Sequence, residues 1–124
     1  MALNNRVESG HFPYVSIHLV GPNQTISFDL ITEALIDTGF DGEVMIPRTM
    51  VSRAVVPNVR TRWQLGDGSV VEAEAYRGTV QIVGLENTIT VTISALGTQT
   101  LIGAALIARF RVILDHGASV TFEP

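Results

Sequence analysis

Apolar and polar side chains alternate with a period of two through most of this chain, interrupted by glycine-rich turns, and that pattern restricts it to a fold made of strands. From residue 13 to 19 the run PYVSIHL sets Val15, Ile17 and Leu19 against Tyr14, Ser16 and His18, as in a strand with one buried face. Gly21-Pro22-Asn23 marks a turn, and extended character resumes over residues 25–35 through Ile26, Phe28, Leu30 and Thr32. An N-terminal hairpin is expected there. Further strands are expected at 79–83 and 88–94, across Gly84-Leu85-Glu86-Asn87, and at 111–114 and 119–122, across Asp115-His116-Gly117.

The cleanest local signal lies between residues 58 and 76, where NVRTRWQL leads into Gly66-Asp67-Gly68 and SVVEAEAY follows. An Asp-Gly pair supplies the positive φ angles of a two-residue type I′ turn. With Asp67 and Gly68 as the loop, Leu65 faces Val70 and Trp63 faces Glu72. Only two segments read as helix: residues 47–54 (PRTMVSRA), where proline suits the first turn, and 104–110 (AALIARF). At 124 residues, without repeat, linker or low-complexity stretch, the expectation is one domain over residues 1–124, all-β, a barrel or a sandwich.

Composition narrows the function. The formal charge is −4, and every one of the 8 basic residues is arginine, none in a run, which argues against a nucleic-acid partner. Cysteine is absent, excluding thiolate catalysis, thiolate metal sites and a disulfide framework. The opening MALNNRVESG lacks the apolar stretch of a signal peptide. The longest apolar run, residues 101–114, is broken by Arg109 and Arg111 and is too short to cross a bilayer. A cytoplasmic protein with no membrane partner is the expectation.

The chemistry points to Ala34-Leu35-Ile36-Asp37-Thr38-Gly39-Phe40-Asp41-Gly42. An apolar strand runs into an acid, a small hydroxyl residue and a glycine. Burial at the strand end disfavours the charged carboxylate of Asp37, whereas amides brought close by a sharp turn at Gly39 favour it. Thr38 offers a hydroxyl that can lock the loop against a neighbour. Alone, the tripeptide also suits a plain strand-ending turn. A calcium loop does not fit, because its third and twelfth positions are Gly39 and Arg48; only loose binding of a divalent ion by Asp37, Asp41 and Glu43 stays open. His11, His18 and His116 have no ligand spacing. Gly66-Asp67-Gly68 precedes a strand, without the lysine of a phosphate loop. Trp63 either packs the base of the hairpin onto the barrel or touches a ligand, and Arg60 and Arg62 suit a solvated strand face.

The order and spacing of ALIDTGFDG, LGDGSVVEAEAY and LIGAALIARFRVILD resemble those of the retropepsin-like (clan AA) aspartic proteases, in particular small bacterial members with a single Asp-Thr-Gly. The resemblance spans residues 13–122. It implies a closed β-barrel with a flap hairpin and one short C-terminal helix, and an endopeptidase that hydrolyses peptide bonds without cofactor or metal. Two facing carboxylates are needed, since one must hold a proton while the other activates water. With one Asp-Thr-Gly per chain, the resemblance implies a homodimer in which each copy contributes catalytic Asp37. Thr38 and Gly39 would form the active-site loop, Thr38 bonding across the dimer. Phe40, Asp41, the flap-tip residues Leu65, Gly66, Asp67 and Gly68, and Ile102 would contact an extended peptide or protein substrate, with residues 63–72 closing over it.

Two positions depart from the viral pattern. Phe40 stands where viral enzymes carry alanine and pepsin-like ones a hydroxyl residue, so no strongly acidic optimum is expected. Ala104 stands where viral enzymes have an arginine that pairs with the acid equivalent to Asp41, leaving Arg109 and Arg111 as candidate partners. The alternative these departures keep open is a catalytically silent dimeric β-module that binds extended peptides or mediates assembly.

Overall fold

The computed structural model describes residues 6–22, 27–51, 57 and 59–124. Among the described residues strand far outweighs helix, so backbone pairing between strands carries the architecture. In chain order the strands are β1 (Val7–Ser9), β2 (Tyr14–Pro22), β3 (Ser27–Ile36), β4 (Val44–Ile46), β5 (Val59–Gln64), β6 (Val70–Ile82), β7 (Thr88–Ala95), β8 (Leu101–Ile102), β9 (Arg111–Asp115) and β10 (Ser119–Glu123). The one α-helix among the described residues, α1 (Ala104–Ile107), separates β8 from β9.

Six strands close into a barrel. Their order is β2-β3-β8-β4-β7-β6, and pairing of β2 with β6 shuts the ring. At that seam Gly78 is obligatory, because a Cβ there would sit 2.4 Å from the Val20 carbonyl oxygen. The alternation seen in β2 sends Val15, Ile17 and Leu19 fully inward. They meet Val44, Ile46, Val80, Ile82, Val91, Ile93, Ile102 and Phe122 in the core. Burying each such side chain is worth about 1.5–3 kcal/mol.

A separate three-stranded sheet, β1-β10-β9, joins the two ends of the described chain: Val7 lies opposite Phe122, and Phe122 opposite Val112. Its inner face adds Val120 and Phe122 to the core, and Phe110 packs edge-to-face on Phe122 at 5.7 Å.

The helical expectations need trimming. Over residues 47–54 the structure has a single 3-10 turn at Arg48–Met50, followed by extended backbone at Val51; residues 52–56 lie outside the described set. The isolated pattern was too short to propagate a helix. At 104–110 only Ala104–Ile107 is α-helical. Residues 70–82, read as two strands, form one continuous β6. Gly21 and Pro22, expected in a turn, instead close β2, and residues 23–26 lie outside the described set; the expected antiparallel pairing of β2 with β3 is present, with Ile17 opposite Thr32.

The register of the β5–β6 hairpin also differs from expectation. Trp63 faces Val71, and Gln64 faces Val70. Of the turn residues only Gly68 has positive φ, +89°, so a type I′ turn is not formed. Instead Gly68 N–H donates to the Leu65 carbonyl at 2.9 Å and Leu65 N–H donates to that of Ser69 at 2.8 Å. This is a three-residue loop with its glycine left-handed. Asp67 completes it, since its Oδ1 accepts from the Ser69 amide and hydroxyl at 2.9 and 2.6 Å.

Candidate active site

The loop carrying Asp37 owes its shape to an exchange of strand neighbours. β8 runs parallel to β3 on one side and antiparallel to β4 on the other. The chain must therefore leave β3, pass around the end of β8 through residues 37–43, and return as β4. Asp37 N–H extends the β3 ladder by donating to the Ile102 carbonyl at 3.0 Å. Beyond it Gly103 N–H donates to Glu43, Ala104 N–H to Phe40 and Ala105 N–H to Gly42, at 3.0, 2.7 and 3.2 Å. The start of α1 is thus stitched to the far side of the loop.

Within the loop Gly39 N–H donates to Asp37 Oδ1 at 2.9 Å. A Cβ on Gly39 would lie 3.2 Å from that same oxygen, so glycine lets the amide approach the carboxylate unhindered. Thr38 is exposed at the tip, and Asp37 is half-buried. Phe40 turns inward, 8% exposed. Its ring fills space that only glycine at 42 and 103 leaves open: a Cβ would come within 2.5 Å of Phe40 at either position.

Opposite the loop stands the arm formed by β5 and the first half of β6. Trp63 packs edge-to-face on Phe40, with centroids 4.9 Å apart. Its Nε1–H donates to Thr61 Oγ1 at 2.9 Å, and that hydroxyl lies 3.1 Å from Ser94 Oγ on the barrel wall. The arm is thereby anchored to β7 by side chains as well as by its ladder. Between loop and arm lies a cleft of about 610 Å³. Asp37, Gly39, Phe40 and Asp41 form its floor, Trp63, Leu65 and Gly66 the arm side, and Met45, Leu96 and Leu101 add apolar wall. The cleft therefore offers two carboxylates, of Asp37 and Asp41, in a trough of mixed polar and apolar lining that runs along an extended hairpin.

Several residues occupy places other than those the sequence suggested. Ile102 is wholly buried in the core, and its neighbour Leu101 lines the cleft; adjacent residues of a strand point to opposite faces, so one must face away when the other is inward. Asp67 and Gly68 belong to the hairpin turn and not to the cleft wall, as does exposed Thr38 to the loop tip. Arg62 is exposed, as a solvated strand face requires, and with Gln64 it also lines the cleft. Trp63 braces the arm against Phe40 and also lines the cleft. Glu43 is committed elsewhere: its Oε1 accepts the Thr92 amide at 2.9 Å. Among the described residues Asp41 forms no ion pair with Arg109 or Arg111, and no cluster of acids and histidines is arranged to hold a metal ion. No helix among them is long and apolar enough to cross a membrane.

Comparison of the chain with protein-family models and with curated proteins gave no match.

Proposed function

We propose that this chain is a retropepsin-like aspartic endopeptidase, active as a homodimer on extended peptides. The observation that carries the reading is Asp37 at the end of a barrel strand, bonded to the Gly39 amide at 2.9 Å, on the floor of a cleft that a hairpin arm overhangs. A closed barrel, a projecting hairpin and a one-turn helix stitched to the acidic loop are the parts such an enzyme requires. The arm adds backbone donors and acceptors along the cleft, where an extended peptide can pair as an additional strand.

The chemistry asks little more of the chain. One Asp37 carboxylate, ionised, takes a proton from water as the water oxygen attacks the peptide carbonyl carbon. The second Asp37, protonated, gives its proton to the carbonyl oxygen. The C–N bond of the tetrahedral intermediate then breaks as the first Asp37 passes the proton it took to the departing nitrogen. The second Asp37 takes a proton back from a hydroxyl of the intermediate. Two like charges at close range cannot both ionise comfortably, so the pair holds the single proton this cycle needs. The Gly39 amide steadies the ionised partner.

The test is a mixed peptide library incubated with the protein from acidic to mildly alkaline pH, beside Asp37→Asn. Cleavage by the parent that vanishes in the variant, and that a statine-type transition-state mimic blocks, is the expected result. Equal cleavage by Asp37→Asn removes that residue from the mechanism. Peptide binding without cleavage by either protein favours the silent binding module.

A further inference from the structure

We infer that the free edge of β5 takes an extended peptide with acidic residues at alternate positions, an acid-x-acid segment, and that Arg60 and Arg62 read its two carboxylates. The inference rests on the reading of the cleft as a peptide site and names the substrate class that site prefers. Among the described residues β1, β5 and β9 each end a sheet, and of the three only β5 contributes to the cleft. Arg62, Trp63 and Gln64 border it consecutively. Side chains that alternate between two faces cannot all point into one cleft, so it is the backbone edge of β5 that borders it.

The hairpin turn fixes which groups lie on that edge. Leu65 turns both its N–H and its carbonyl toward the β6 side, to Ser69 and Gly68. Pairing alternates along an antiparallel ladder, so Trp63, Thr61 and Val59 do the same. Arg60, Arg62 and Gln64 therefore direct their N–H and carbonyl groups outward, along the free edge. A peptide paired there sets residues directly opposite these three, each with its side chain on the face of the residue it opposes.

That face is charged. It holds Arg60 and Arg62 beside Glu74 and Glu72, their register partners on β6, and it is turned away from the face that carries Trp63. Glu74 is engaged by Arg48 at 3.6 Å. Both arginines are exposed, and neither forms an ion pair among the described residues. An acid opposite each arginine makes two rows in which a guanidinium lies between carboxylates, a favourable arrangement for facing positions. The same residues disfavour a second copy of β5. In the register of fullest antiparallel overlap Arg62 opposes Arg62, and a two-residue shift sets Arg60 against Arg62 twice. Like charges directly opposite destabilise a ladder. The chain as a whole is acidic, at −4, so the preference comes from these two rows, and reversing them reverses it.

Retention of degenerate decapeptide pools on immobilised Asp37→Asn protein, chosen to spare the peptides from cleavage, tests the inference. The pools carry Glu-x-Glu, adjacent Glu-Glu, Gln-x-Gln or Lys-x-Lys at their centre. Glu-x-Glu is expected to be retained about tenfold more than Gln-x-Gln, and Lys-x-Lys least of all. Adjacent Glu-Glu, which puts its acids on opposite faces, is expected to fall between Glu-x-Glu and Gln-x-Gln. Adding Arg60→Glu and Arg62→Glu together is expected to invert the order. Should that reversal perturb the fold, Arg60→Gln with Arg62→Gln is expected to remove the advantage of Glu-x-Glu. Equal retention of all pools, or a preference unchanged by the arginine variants, overturns the inference and leaves the protease reading to its own cleavage test. A Glu-x-Glu preference that follows the arginines, in a chain whose parent cleaves nothing, upholds the inference and sinks the proteolytic reading. Retention of no pool overturns the inference, and with cleavage absent as well it overturns both.

Discussion

The rings of Phe40 and Trp63 meet edge-to-face, 4.9 Å between centroids and 63° between planes, and join the loop bearing Asp37 to the arm above it. Such a contact is worth about 0.5–1.5 kcal/mol beyond the area it buries. It is also the point where the base of the hairpin arm is pinned to the floor of the cleft.

Phe40→Ala should therefore act on both. A stability loss of about 3 kcal/mol is expected, at the lower end for truncation of a buried aromatic side chain, and denaturant unfolding measures it. Trp63 is the single tryptophan, so its fluorescence reports the arm directly. Emission should shift to the red in the folded variant. Unchanged emission would mean that Phe40 does not shield Trp63.

Two glycines of the site should fail in different ways. In Gly103→Ala the new methyl meets the carbonyl oxygens of Gly42 and Phe40 at 2.3 and 2.5 Å. Backbone cannot yield cheaply, so a loss of about 3 kcal/mol or more is expected. In Gly39→Ala the methyl meets only Asp37 Oδ1, at 3.2 Å. That chain should fold with little loss, while the peptide cleavage expected of the proposed enzyme falls about a hundredfold, the effect of a misplaced reacting group.

Glu43 braces the loop from behind through the Thr92 amide, at 2.9 Å. Glu43→Ala leaves that partly buried donor without its acceptor and should cost about 1–3 kcal/mol. Glu43→Gln keeps an oxygen in place and should recover most of the loss. Thermal unfolding of the pair separates hydrogen bonding from charge.

Asp67 carries the pH dependence of the hairpin turn. The Ser69 hydroxyl, and then the Ser69 amide, hold its carboxyl below the ordinary value of 3.8. A group depressed in the folded state stabilises it above the unfolded value and loses that contribution as pH falls through the folded one. The turn should thus keep its geometry at mildly acidic pH and loosen only below the usual carboxylate range. Carboxyl carbon NMR should show Asp67 titrating low in the parent and closer to the ordinary value in Ser69→Ala.

The features legible in the sequence were those set by local physics. Alternation in β2 identified Val15, Ile17 and Leu19 as buried, and Asp-Thr-Gly after an apolar strand located the loop. What escaped depended on long-range neighbours. Parity within β8 required one of Leu101 and Ile102 to face the cleft, but which one is decided by β3 and β4 closing around the strand. Met45 enters the cleft wall from β4, across the strand exchange, and Leu96 from just beyond β7, far from Asp37 in sequence. The hairpin register missed by one residue because a single left-handed Gly68 served where Asp67 and Gly68 were both expected to turn. Of the acids, Glu43 was legible only as a loose ligand, because its partner Thr92 lies 49 positions away.

The insertion of β8 between β3 and β4 has a consequence for how the molecule is born. Ribosomes release a polypeptide from its amino end, so Asp37 emerges long before Leu101 and Ile102, the residues that wedge apart its flanking strands. Until that late segment is delivered, the carbonyl that fixes the Asp37 amide and the amides that hold Phe40 and Gly42 are missing. A nascent chain that has not yet reached residue 105 has the acid but no means of aiming it.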